Sequence, residues 1–327
     1  MLLLPMQTLP SDIYTVAQVV QLEQLAIQQY GIPGYTLMRR AGQAVVDFIQ
    51  TSFTRDTPLL VLCGAGNNAG DGYVIARLAK QAGYPVTVVG LVETEKLKGD
   101  AQLAARHWLE CGEVQLFDPA LLETATVIVD ALLGTGLDRE VSGEWAAIID
   151  AVNRASSASE KSVIAVDVPS GLKADTGAIA GIAVQADATV TFIGVKTGLL
   201  TGAGPACCGR IHFHDLNVPA EIFQKIKPGV CLNDRPPPLL PPRSPTAHKG
   251  LFGHALVVGG NTSMAGAVIL AGKAALRAGA GLVSVFTRAR HVSAINAACP
   301  ELMVASNDVS AMPLPSDLLQ KVTHIAV

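Results

Sequence analysis

The sequence predicts an α/β protein: a Rossmann-like, doubly wound parallel sheet, then a proline-rich break and the start of a second α/β domain. Short, continuously apolar runs such as Leu59–Cys63 recur along the first part, with room between them for crossover helices. Several of these runs end in Gly, Asn, Asp or Ser, as strands do where they feed a ligand crevice. From Arg235 the chain reads Arg-Pro-Pro-Pro-Leu-Leu-Pro-Pro-Arg-Ser-Pro, a proline density that neither a helix nor an inner strand tolerates.

Thr15 followed by Gln18 forms a capping-box pattern, which predicts a helix carrying Val16, Val19, Leu22 and Leu25 on one face and closing at Gly31. A second helix is expected from Thr36, with Leu37, Ala41, Val45 and Phe48 as its stripe. The strand Leu59–Cys63 then leads into a glycine-rich loop and a helix over 73–82. Further strands are expected at 86–89, 126–129, 163–166 and Ala188–Phe192. The predicted domains are residues 1–230, a linker over 231–245, and 246–327. The last part opens with a strand over 255–258, the turn Gly259-Gly260-Asn261 and a small-residue helix over 266–278. About 80 residues are fewer than a domain usually needs, so this part reads as incomplete.

With 16% charged residues, a net charge of -3 and no Lys/Arg-dense run, a nucleic-acid footprint is not expected. No apolar run approaches the roughly 18 residues of a membrane span. The first ten residues lack a basic segment and contain Pro5 and Pro10, which argues against a secretory leader. Six cysteines without CxxC or zinc spacing read as free thiols. The expected setting is the cytoplasm.

Three strand-end segments carry the candidate chemistry. They are Gly64-Ala-Gly-Asn-Asn-Ala-Gly-Asp-Gly72, Asp130 with Gly134-Thr-Gly-Leu-Asp-Arg-Glu140, and Asp167-Val-Pro-Ser-Gly171. In a parallel sheet these loops converge, which would gather Asn68, Asp71, Asp130, Asp167 and Ser170. The glycines let backbone approach a phosphate at the next helix start. Their GxGxxxG spacing is one residue longer than the dehydrogenase fingerprint, and a glycine-rich turn alone also serves plain strand-to-helix packing. An Asp at a strand end also caps helices, a reading open for both Asp130 and Asp167. Oxygen donors without His or Cys suit a hard cation.

Taken with Tyr30-Gly-Ile-Pro-Gly-Tyr-Thr-Leu-Met38 and Gly194-Val-Lys-Thr-Gly-Leu-Leu-Thr-Gly202, these segments resemble the YjeF N-terminal family of NAD(P)H-hydrate epimerases over about residues 12–225. His248-Lys-Gly-Leu-Phe-Gly-His254 with residues 271–285 resembles the start of the ribokinase-like, ADP-dependent NAD(P)H-hydrate dehydratases. The resemblance implies epimerisation of the R and S forms of hydrated NADH and NADPH, a small-molecule substrate, and a homo-oligomer. It places substrate at Asn67, Asn68, Ala69, Gly70 and Asp71, at Gly134, Thr135, Gly136, Leu137, Asp138, Arg139 and Glu140, and at Asp167. It implies a potassium ion on Asn68, Asp130 and Ser170. For the second domain it implies a substrate contact at Ala267, and ADP with Mg2+ if that domain is complete. Ala69, where many relatives have Gly, and Thr135-Gly-Leu-Asp138 depart from the family pattern without removing a ligand.

The substrate so implied carries a hydroxyl on the ring carbon beside nitrogen, so an Asp can act as acid and then base. Asp167 is the expected catalytic residue, with Asp71 in reserve. No Gly-Thr-Gly-Asp loop follows Pro245, so dehydratase chemistry is not expected of this stretch, nor is that of a sugar or vitamin kinase. A dehydrogenase is disfavoured because Val89 leads into Gly90, with Glu93 out of place for the ribose. A non-catalytic scaffold of the same family is the other alternative, against which the retained Asp71, Asp130 and Asp167 count.

Overall fold

The computed structural model describes residues 9–158, 161–233, 242–306, 314 and 316–327. The chain divides into two units, residues 1–236 and 237–327. Most of the predicted linker, residues 234–241, lies outside the described residues.

The first unit opens with β1 (Asp12–Tyr14), α1 (Val16–Gln28) and α2 (Gly34–Ser52). The capping box is formed: the Thr15 hydroxyl accepts from Gln18 N–H, and Gln18 Oε1 accepts from Thr15 N–H at 2.9 Å. There follow β2 (Leu59–Cys63), α3 (Gly66–Gln81), β3 (Val86–Gly90), α4 (Gly99–Leu109) and α5 (Pro119–Thr124). Next come β4 (Val127–Ala131), α6 (Gly143–Ala158), β5 (Ser162–Val166), β6 (Ala188–Phe192) and β7 (Val195–Lys196). The unit closes with α7 (Thr197–Leu200), α8 (Gly204–Cys207), β8 (Arg210–His214), α9 (Glu221–Lys225) and β9 (Val230–Cys231).

Six strands form one parallel sheet in the order β3-β2-β4-β5-β6-β8. Strand alternation divides the core. Leu59, Val61 and Cys63 join α2, α3 and α4 on one face, and Leu60 and Leu62 join α5 and α6 on the other. The sheet is therefore doubly wound, as its apolar runs predict. Because β3 lies to one side of β2 and β4 to the other, the winding reverses between β2 and β4. Ligands bind beyond the carboxyl ends of strands at such a switch point. A smaller sheet, β7-β1-β9, joins the end of β6 to the start of the chain.

The second unit contains β10 (His254–Val258), α10 (Ala265–Arg277), β11 (Leu282–Thr287), α11 (Val292–Ala298), β12 (Met303–Ser306) and β13 (His324–Ala326). Its four strands are parallel in the order β12-β11-β10-β13. No helix among the described residues is long and apolar enough to cross a membrane.

Candidate active site

A cleft of about 520 Å³ opens at the switch point. Its floor is the β2–α3 junction, the loop after β4 and the turn after β5. Its wall comes from α1, α2 and the end of β6. Gly64 permits the close approach of the first two loops: a Cβ there would stand 2.0 Å from the Leu132 carbonyl oxygen, so any side chain would push the β2 and β4 ends apart.

The sequence predicts a glycine-rich loop over 64–72 before a helix at 73. The structure starts α3 at Gly66, seven residues sooner. Gly66 takes a φ of 72°, and Ala65 at the N-cap supplies no side-chain cap, so the first-turn N–H groups have no side-chain partner at the N-cap, and Ala65, Gly66, Asn67 and Asn68 line the cleft. Glycine is a poor helix former, but packing decides here. A Cβ on Gly70 would meet Met38 Cε at 2.6 Å and Ala101 Cα at 2.8 Å, so Gly70 lets α3 lie closely on α2 and α4. Helical spacing then sorts the predicted residues: Asn67, Asn68 and Asp71 line the cleft, while Ala69 and Gly70 are buried on the inner face.

The loop after β4 lines the cleft from Gly134 through Thr135, Gly136, Leu137 and Asp138 to Arg139. Glu140 is exposed and leans toward Gly181, outside the cleft lining. Ala267 belongs to the second unit, exposed in the first turn of α10.

Asp130, at 0% exposure, and Ser170 lie beneath the cleft surface. Asp130 Oδ2 accepts from Ser170 N–H at 2.8 Å and Oδ1 from Leu132 N–H at 3.3 Å, while the Ser170 hydroxyl donates to Oδ1. Ser170 Oγ also accepts from Leu133 N–H at 2.8 Å, which ties the β5 turn to the loop after β4. Burial pushes the Asp130 carboxyl up to about 6, against the downward pull of the Ser170 and Leu132 donors. Asn68 borders the cleft with only 7% exposure, and both its Oδ1 and Nδ2 are buried without a hydrogen-bond partner. A buried, unpartnered amide costs about 1–3 kcal/mol, and it leaves both Asn68 atoms able to meet a ligand at the cleft. Together, an orphaned amide oxygen, a buried carboxylate and a hydroxyl are a donor set that fits a hard cation.

Asp167 follows β5 in the left-handed region, φ 65°, and its Oδ1 accepts from Lys196 Nζ, from Thr191 Oγ1 at 3.1 Å and from Phe192 N–H at 3.2 Å. Asp71 shares the cleft with Asp167, Glu23 and Asp100. Burial, then the charges of Asp167 and Glu23, hold the Asp71 carboxyl well above the ordinary carboxylate range, and Lys196 opposes them. Glu23 is raised as well, first by burial.

Sequence reasoning did not single out Lys196, Glu23 or Asp100. Lys196 is the one charged residue between Asp187 and Arg210, and that isolation in an apolar stretch was a usable signal. Glu23 falls four residues after Val19, on the apolar stripe of α1, where a carboxylate is out of place. Asp100, in the first turn of α4, carries no comparable signal.

Residues 34–198 match the family described as YjeF-related protein N-terminus, and residues 255–327 match the family described as NAD(P)H-hydrate dehydratase. The bifunctional NAD(P)H-hydrate repair enzyme Nnr of Coxiella burnetii is 42% identical over 295 residues, which cover 89% of this chain and 59% of that protein. The protein of the same name from Escherichia coli is 40% identical over 299 residues, covering 91% and 57%. An NAD(P)H-hydrate epimerase of Limosilactobacillus fermentum is 43% identical over 198 residues, 60% of this chain and 93% of that enzyme. The crystal structure of yeast ynu0 shares the fold, with a TM-score of 0.57 at 21% identity over 65% of this chain and 93% of the yeast chain. The chain spans about three-fifths of the length of the bifunctional relatives it matches.

Proposed function

Since the chain belongs to the YjeF-related protein N-terminus family, we propose that its first unit interconverts the R and S forms of hydrated NADH and NADPH. The observation that carries this reading is the cleft itself. Helix-start N–H groups and a glycine-containing loop suited to a pyrophosphate border the same space as Asp71 and Asp167. The hydrated ring is a hemiaminal. Protonation of its hydroxyl by a carboxyl lets the C–O bond break with its electron pair on the departing water, while the nitrogen lone pair closes an iminium. Water returns to either face of that carbon and gives its proton to a carboxylate. Asp167 is the principal proton-transfer residue of this reading, and Asp71 supplies the second carboxyl. The loop 134–139 and Asn67 hold the dinucleotide. The same reading extends to a homo-oligomer in the cytoplasm, and to ADP with Mg2+ at the dehydratase part of a whole protein, with no residue of this chain assigned to either.

The test mixes the purified chain with R-hydrate and an independent S-specific dehydratase. Faster return of NADH than with the dehydratase alone is the expected result. No acceleration would favour the scaffold alternative instead.

In this proposal potassium is held by Asn68, Asp130 and Ser170, where it orders the loops and offsets pyrophosphate charge. The rise of Asp130 from 3.8 to about 6 means that the folded chain holds this proton more tightly than the unfolded one. Stability from this group is therefore present at low pH and is lost as pH rises through about 6, by about 3 kcal/mol in all. A cation beside the carboxylate offsets that loss. KCl, compared with tetramethylammonium chloride at equal ionic strength, is expected to raise the melting temperature by several degrees at pH 8 and by little at pH 5. Asn68→Ala should abolish the difference. An equal potassium effect at both pH values would remove Asp130 from the site.

A further inference from the structure

Lys196 is 1% exposed, and its ammonium has three partners: Asp167 Oδ1, Thr191 Oγ1 at 3.1 Å and the Phe192 carbonyl at 3.1 Å. Three acceptors for three N–H bonds fix its position fully. The backbone around it is shaped to the same end. Asp167 sits in a three-residue turn closed by Val168 N–H to the Val166 carbonyl at 2.8 Å, and Ile193, φ 62°, sits in another closed by Gly194 N–H to the Phe192 carbonyl at 2.6 Å. Two adjacent strands thus end in the same rare left-handed turn, a conformation that costs free energy and persists where its surroundings hold it. The register of β7 on β1, Lys196 opposite Tyr14, anchors the lysine from the far side.

Among the described residues, every donor that reaches the Asp167 carboxylate falls on one oxygen. Lys196, Thr191 and Phe192 N–H converge on Oδ1, whereas among the described residues no donor reaches Oδ2. Asp167 keeps 18% side-chain exposure and lines the cleft. We infer that Lys196, with Thr191, is a positioning residue: it occupies Oδ1 of Asp167 and leaves Oδ2 as the oxygen that exchanges a proton with the substrate hydroxyl. This rests on the epimerase reading for its kinetic consequence, but the geometry of the clamp does not.

The test has two arms. In the kinetic arm, Thr191→Val, which removes one hydroxyl at nearly constant shape, lowers kcat roughly 10–100-fold with KM changed less than about threefold, the pattern of a misaimed but still binding site. Thr191→Ser recovers most of the loss, and Lys196→Met is at least as severe as Thr191→Val. In the spectroscopic arm, nitrogen NMR of the lysine-labelled chain shows a slowly exchanging Lys196 ammonium that moves or vanishes in Asp167→Asn. A folded Thr191→Val chain with wild-type kcat would overturn the inference, and so would a Lys196 signal that exchanges like a surface lysine. If Lys196→Met does not fold, the Thr191→Val and Thr191→Ser pair decides the kinetic arm. A wild-type chain that shows the protected ammonium but does not epimerise would refute the epimerase reading while supporting the clamp.

Discussion

Asp167→Asn is expected to lower R-to-S interconversion by about 10²–10⁴-fold, the usual contribution of a positioned proton-transfer group. The amide keeps an oxygen for Lys196, Thr191 and Phe192 N–H, so the turn at residue 167 persists and the substrate still binds. KM should therefore change little while kcat falls. The second consequence is on stability. Lys196 loses the only negative partner within ion-pair distance among the described residues, at a position with 1% exposure. Removing one member of a buried pair outright costs about 3–5 kcal/mol, and an amide that still accepts the hydrogen bond should cost part of that. Asp167→Ala, which deletes the acceptor and places a Cβ-only side chain at φ 65°, should melt lower than Asp167→Asn. Steady-state kinetics on both variants, with thermal melts on the same samples, separate the two effects. Wild-type turnover in a folded Asp167→Asn chain would transfer the proton-handling role to another carboxyl.

The parts of this site that sequence reasoning reached are those set by local pattern. A buried parallel strand is apolar along most of its length, so a polar residue near its end is conspicuous: Asp130 is the last but one residue of β4, and Asp167 directly follows β5. The Thr15–Gln18 box is local as well, and forms as written. What escaped is set by contacts distant in sequence. The helical state of residues 66–72 runs against the propensity of Gly and Asn, and exists because α3 is pressed between α2, α4 and the sheet. The strands β1, β7 and β9 have two or three residues each and pair across about the whole first unit, too short to show an alternation. Lys196 depends on both features: β7 places it, and acceptors on β6 and beyond β5 give it a role. Its isolation in an uncharged stretch is a signal that the sequence carries, but it does not say what the ammonium meets.

Asp71→Asn carries the other large effect, and its two consequences point in opposite directions. Two carboxyls with different surroundings in one cleft are a basis for different roles. Asp167 takes three donors on one oxygen, whereas among the described residues no donor reaches the Asp71 carboxyl, which burial and neighbouring charges alone perturb. Burial first, then the nearby charges of Asp167 and Glu23, keep Asp71 toward its protonated form, and Lys196 only partly offsets them. A protonated carboxyl is what the departing hydroxyl requires, so Asp71→Asn should reduce kcat by about 10²-fold or more. In the wild-type chain, activity that depends on this proton falls on the alkaline side as Asp71 ionises, and the variant should lack that limb in whatever turnover remains. Stability follows the reverse course. Because the folded state raises this proton affinity, the group contributes stability at low pH and loses it as pH rises through its folded value. Asparagine imitates the protonated acid and cannot ionise. Asp71→Asn should therefore melt like the wild type in acid and above it in alkali, while turning over more slowly at every pH. Such a chain would show that the charge environment of Asp71 is kept for proton transfer at the expense of stability. Retention of the alkaline limb in Asp71→Asn would assign that limb to Glu23, the other cleft carboxyl raised by burial.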